Sequence, residues 1–184
     1  MSSRTTLTDN ASAGNYDGTM TNMTTEDWVT SYAPIATLNS GYKTDIEGLW
    51  SESGTSASQD SDGLTMTVSS TLSEENFAVF GNNNTSSTST SDLPSGSVIR
   101  SARIWQGYKS GSVSADVIID INAATGNTPT VGDATNYKLL HRIGTSGNFT
   151  TVATASVSGG VSVYEITFSG VIVNKGFYVI AANE

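Results

Sequence analysis

From Leu64 onward, apolar and polar residues alternate in short runs separated by Gly, Asn, Asp and Ser, the period-two signature of half-buried strands. Leu64, Met66 and Val68 alternate strictly with Thr65 and Thr67. Over 113–122, Val113, Ala115, Val117, Ile119 and Ile121 form one face, and Ser114, Asp116, Ile118, Asp120 and Asn122 the other. Further strands are predicted over 77–80, 98–105, 137–143, 149–157, 161–168, 171–173 and 177–181. The face that 98–105 turns inward is ambiguous, because Arg100 and Arg103 fall on opposite sides. The run 177–181 is nearly continuous in apolar residues, which places it in the middle of a sheet. Residues 144–147 and 174–176 are connections of hairpin size. The loop 81–92, GNNNTSSTSTSD, holds no large apolar side chain and is expected to be mobile. Roughly eight or nine strands in this span predict an all-β, jelly-roll-like two-sheet β-sandwich over 63–184, with strand order unread from the pattern and an immunoglobulin-like arrangement as the alternative.

Residues 1–62 have a different texture. Apolar anchors are spaced apart along a polar background, among them Trp28, Tyr32, Ile35, Tyr42 and Trp50. Such a segment cannot bury enough of itself to fold alone, so it reads as an extended N-terminal arm that lies along another surface. One short helix is predicted over 24–32, where Thr24 precedes Asp27 in a capping-box-like start and Pro34 ends the run. Residues 51–63 are loop on composition.

Composition narrows the chemistry. The 184 residues suffice for one core with appendages. A net charge of −9 with only 8 Lys and Arg leaves no basic cluster for phosphate backbones, which argues against a nucleic-acid partner. The absence of Cys removes disulfides, thiolate metal sites and cysteine nucleophiles. The opening MSSRTTLTDN has no signal-like apolar stretch and no run is long enough to span a bilayer, so the chain is expected to be made in the cytoplasm without a membrane partner.

No catalytic set emerges, and neither a cofactor nor a metal is expected. His141, the single histidine, would have to serve any Ser-His-Asp arrangement, yet no Gly-x-Ser-x-Gly elbow presents a serine; strand alternation points it away from Leu140 and Arg142, as an ordinary structural histidine. Asp116 and Asp120 share a strand face roughly 13 Å apart, beyond the carboxylate spacing of glycosidases. Asp60-Ser61-Asp62-Gly63 opens like a calcium loop but runs straight into a strand, so it reads as a turn. Trp105 and Tyr108 at a strand end offer a glycan platform, against the plainer reading of Trp105 as a core cap.

The Ser/Thr/Asn/Gly-rich composition, the anchor-dotted arm, the loop GNNNTSSTSTSD and the closing strand GFYVIAANE together resemble the capsid decoration, or cement, proteins of tailed bacteriophages. The resemblance implies a structural virion protein, a homotrimer on the capsid exterior that bridges major capsid protein subunits, assembled in the host cytoplasm. On that reading Trp28, Tyr32, Ile35, Tyr42 and Trp50 dock on neighbouring subunits, and many weak contacts add through symmetry. Two other classes stay open: a phage tail-fibre or receptor-binding protein, and a carbohydrate-binding β-sandwich module using Trp105 and Tyr108.

Overall fold

A computed structural model of the chain describes residues 38–42, 44–52, 55–59, 63–68, 76–126, 134–155 and 165–183. The helix expected over 24–32, the anchors Trp28, Tyr32 and Ile35, and Asp60, Ser61 and Asp62 lie outside the described residues.

The fold is all-β, two antiparallel sheets in a sandwich-like arrangement. The strands are β1 (Thr44–Glu52), β2 (Thr55–Gln59), β3 (Leu64–Thr67), β4 (Phe77–Asn82), β5 (Thr88–Ser89), β6 (Ile99–Ser101), β7 (Trp105–Ser110), β8 (Ser114–Asp120), β9 (Tyr137–Arg142), β10 (Thr150–Thr154), β11 (Glu165–Ile172) and β12 (Gly176–Ala182). The larger sheet runs β10-β9-β12-β7-β4-β1-β2, with β6 pairing to β12 and β5 to β6; the smaller runs β11-β8-β3.

The clearest alternation in the sequence is also the clearest strand. Val113, Ala115, Val117, Ile119 and Ile121 are all buried between the sheets, packed with Leu64, Met66 and Phe168 from the smaller sheet and Phe80, Trp105 and Ile180 from the larger. Strand β8 stops at Asp120 because that side chain caps a helix: its Oδ1 accepts from the Ala123 N–H at 2.9 Å, opening α1 (Ile121–Thr125). Gly126, with φ of 72°, closes α1 in the left-handed conformation that glycine adopts without penalty. The run expected as one strand over 113–122 is therefore a strand and the start of a helix.

Strand β12 is buried on both faces, as its near-continuous apolar run predicts. Tyr178 and Ile180 point into the inter-sheet core. Phe177, Val179 and Ala181 point the other way, into a second cluster with Leu140 and Phe149, against which Tyr42, Leu93 and Ile104 pack. Among the described residues, the outer face of the larger sheet is thus covered by loop residues. A continuously apolar strand needs a buried environment on each face, and this chain supplies the second from segments with few apolar residues of their own.

Three expectations need correction. Residues 44–59, grouped with the arm, are the hairpin β1–β2, and β1 pairs with β4, so the larger sheet begins ahead of residue 63. Too polar to fold alone, this segment finds its backbone partners in the β4 ladder. Residues 174–176 do not form a hairpin: β11 belongs to the smaller sheet and β12 to the larger, so the connection crosses between sheets. The loop 81–92 is tied down rather than free. Ile104 N–H donates to Asn83 Oδ1 at 3.0 Å, Ala102 N–H to the Ser87 carbonyl at 2.7 Å, and Arg103 Nε to the Thr85 carbonyl at 2.9 Å. Its Asn, Ser and Thr residues hold it by hydrogen bonds where apolar anchors are missing.

Candidate functional site

Among the described residues, Tyr42, Trp105 and Tyr108 do not gather at one site. Trp50 sits on β1, opposite Ala57 of β2 and Phe77 of β4. Tyr42 is half-buried, its ring edge-on to Phe177 with centroids 5.2 Å apart, so this anchor docks on its own chain. Trp105 is fully buried in the inter-sheet core and offers no ring face to a sugar. Tyr108, three residues along β7, points to the opposite face, as strand alternation requires, so the two cannot form one platform. The Tyr108 ring is already occupied: it stacks on Phe77 with centroids 6.2 Å apart, and Lys175 Nζ lies 4.2 Å from its centroid. The platform expected of Trp105 and Tyr108 is therefore absent.

The two carboxylates weighed for hydrolysis are committed to the backbone. Asp116 Oδ1 accepts from the Gly170 N–H at 2.7 Å, across from β8 to β11, and Asp120 caps α1. His141 lies on the inward face with Leu139, its ring 4.6 Å from that of Tyr178. Its Nε2 is 3.0 Å from the Lys175 carbonyl and, as the donor in that bond, holds the ring in one tautomer. Burial pushes the imidazole below the ordinary histidine range, with the carbonyl bond opposing.

Beside His141 the sandwich opens into a groove of about 730 Å³, a volume suited to small-molecule ligands. It is formed by the end of β7, the β9–β10 loop and the crossover from β11 to β12, and its lining includes Lys109, Arg142, Asn148, Thr150, Asn174 and Lys175. The crossover is fixed from below. The Tyr178 hydroxyl donates to the Asn174 carbonyl at 2.9 Å and accepts from the Asn174 N–H at 2.7 Å. Burial pushes this phenol up to about 12, with the Asn174 bond opposing, so the hydroxyl stays protonated and the anchor intact. Gly176, at φ of 139°, lets the chain pass close to β9: a Cβ there would meet the Arg142 carbonyl and, at 2.5 Å, His141 Nε2.

On the outer face, Asp92 bridges two buried guanidiniums, Arg100 at 3.5 Å and Arg142 at 3.1 Å. Both lie over the Phe149 ring, at 5.3 Å and 4.2 Å. Burial lowers the Arg100 pKa and Asp92 opposes that shift. This cluster clamps the 81–97 loop onto β6 and β9. Nothing in the local sequence signals it, since Asp92 and Arg142 are 50 residues apart.

At the rim of the larger sheet, β10 is an edge strand carrying Thr150, Thr151, Val152, Ala153 and Thr154, with no charged residue. Large aliphatic side chains stand in solvent nearby and on the smaller sheet: Ile143 is 84 % exposed, Ile172 68 % and Val152 42 %. Among the described residues no helix is long and apolar enough to cross a membrane.

The sequence profile of a domain of unknown function, DUF8202, matches residues 16–176. No curated protein and no solved structure matches the chain significantly.

Proposed function

We propose, for a chain that belongs to the DUF8202 family, a structural role performed by association with other subunits, as a decoration or cement protein on the exterior of a tailed-phage capsid. The observation that carries the reading is the uncharged rim at β10, flanked by the exposed Ile143 and Val152. Soluble proteins protect open sheet edges with Lys, Pro or short strands, because unpaired N–H and C=O groups invite another chain. Among the described residues this edge carries neither Lys nor Pro, its one irregularity being a register shift between Thr151 and Ala153, and it exposes aliphatic surface where a neighbouring subunit gains most from covering it. Contacts of that size are weak singly and become stable when a symmetric homotrimer repeats them over a capsid lattice. The arm residues Trp28, Tyr32 and Ile35 extend the same logic to the major capsid protein.

Sedimentation of the full chain with heads of the phage that encodes it tests the reading. The wild-type chain pellets at a fixed ratio to the major capsid protein, and a chain carrying Ile143→Asp and Val152→Lys stays in the supernatant. A wild-type chain that remains soluble beside intact heads refutes the proposal.

A further inference from the structure

We propose that the groove beside His141 binds acidic saccharides, with Lys109 and Lys175 supplying positive charge to its lining. This inference does not rest on the capsid reading. The chain carries 8 Lys and Arg against 17 Asp and Glu, so a basic surface is not what composition alone would produce. Three of those basic residues, Lys109, Arg142 and Lys175, nevertheless line this one groove, and among the described residues no Asp or Glu does.

The three differ in what their charges already do. Arg142 is committed to Asp92 and to the Gly147 carbonyl, at 3.1 and 2.7 Å. Lys109 Nζ donates only to the Gly111 carbonyl, at 2.9 Å, and Lys175 Nζ rests on the Tyr108 ring. Neither lysine has a carboxylate partner among the described residues.

The remaining lining selects among anions. A bare phosphate would leave most of 730 Å³ unfilled, whereas one to three sugar rings fit it. Ser146, Asn148, Thr150 and Asn174 present neutral donors and acceptors suited to ring hydroxyls, and the Ser146 and Asn148 side chains are exposed. The site is also preorganised, because the Tyr178–Asn174 and His141–Lys175 bonds fix the crossover before any ligand arrives.

Titration calorimetry of the full chain with trigalacturonate, a hyaluronan tetrasaccharide and sialyllactose, beside the methyl ester of each and inorganic phosphate, tests the assignment. At least one acidic probe binds. Its ester binds about tenfold or more weaker, as expected when a charge-assisted contact is removed. Phosphate fails to displace it at equal concentration. Lys109→Gln and Lys175→Gln, exposed-side substitutions whose folding is verified by thermal melting, each weaken the acid by about threefold or more and leave the ester unchanged. Binding by none of the three acids, equal affinity for acid and ester, displacement by phosphate alone, or unaltered binding in both folded variants would each overturn it.

Discussion

Arg142 lies over Phe149, its guanidinium carbon 4.2 Å from the ring centroid, while its Nη1 reaches Asp92 at 3.1 Å. The pair joins β9 to the segment that opens β10, and through Asp92 it fastens the long polar loop to the sheet. A loop without apolar side chains is thereby held over the second hydrophobic cluster by one carboxylate shared between two buried cations.

Replacing that carboxylate therefore has a measurable cost. Asp92 has φ of 58°, a conformation asparagine also tolerates, so Asp92→Asn removes the charge and leaves the backbone unstrained. The two guanidiniums then remain buried without a counter-charge. Allowing for the 38 % exposure of Asp92, a loss of about 2 kcal/mol is expected, a fall of roughly 4–8 °C in Tm for a chain this size. Differential scanning calorimetry checks it; an unchanged Tm means the clamp contributes nothing.

Gly176→Ala forces a Cβ onto the Arg142 carbonyl and His141 Nε2 at a backbone angle that alanine rarely adopts. The β9–β12 ladder must give way there. A destabilisation of about 2 kcal/mol or more is expected by urea unfolding. In contrast, Gly147→Ala, in the open β9–β10 loop where nothing lies within 4 Å, bears only the strain of its φ of 91° and costs about half as much.

His141 gives the fold a dependence on mild acid. Its folded-state pKa lies below the unfolded one, so the unfolded chain binds the proton more readily and stability falls as pH drops. The contribution is whole above the unfolded value of about 6.5 and is lost below it until the lowered folded pKa is passed. His141→Gln keeps a side-chain donor for the Lys175 carbonyl but cannot titrate. Between about pH 7.5 and pH 5 the wild type loses more unfolding free energy than this variant; equal losses would show that His141 is not the group responsible.

Trp105 separates volume from polarity. Its Nε1 is buried with no hydrogen-bond partner among the described residues. Trp105→Phe therefore removes an unsatisfied donor along with some volume and costs less than about 1.5 kcal/mol, whereas Trp105→Ala opens a cavity costing about 3–5 kcal/mol. Chemical denaturation of the two variants measures the difference, and equal losses would contradict the packing described.

How far the sequence reveals this molecule depends on the range of the forces involved. The faces of β8 and the two-sided burial of β12 are legible because each residue's environment repeats every second position. The crossover at 174–176 is not, since Asn-Lys-Gly suits a hairpin and a sheet-to-sheet passage equally. The Trp105–Tyr108 platform failed on parity alone, a check available in the sequence: residues three apart on a strand face opposite ways. The groove was invisible because Lys109, His141 and Lys175 come from three separated segments whose register only tertiary pairing sets. Its one sequence signal is the scarcity of basic residues, which makes any gathering of them informative.

The association claim rests on mass in solution. Light scattering coupled to size exclusion, run on the full chain over a hundredfold concentration range, is expected to give three times the 19.2 kDa chain mass. Ile143→Asp with Val152→Lys is expected to return the single-chain mass while preserving the thermal transition. A wild-type chain that elutes as a monomer at every concentration would contradict the account.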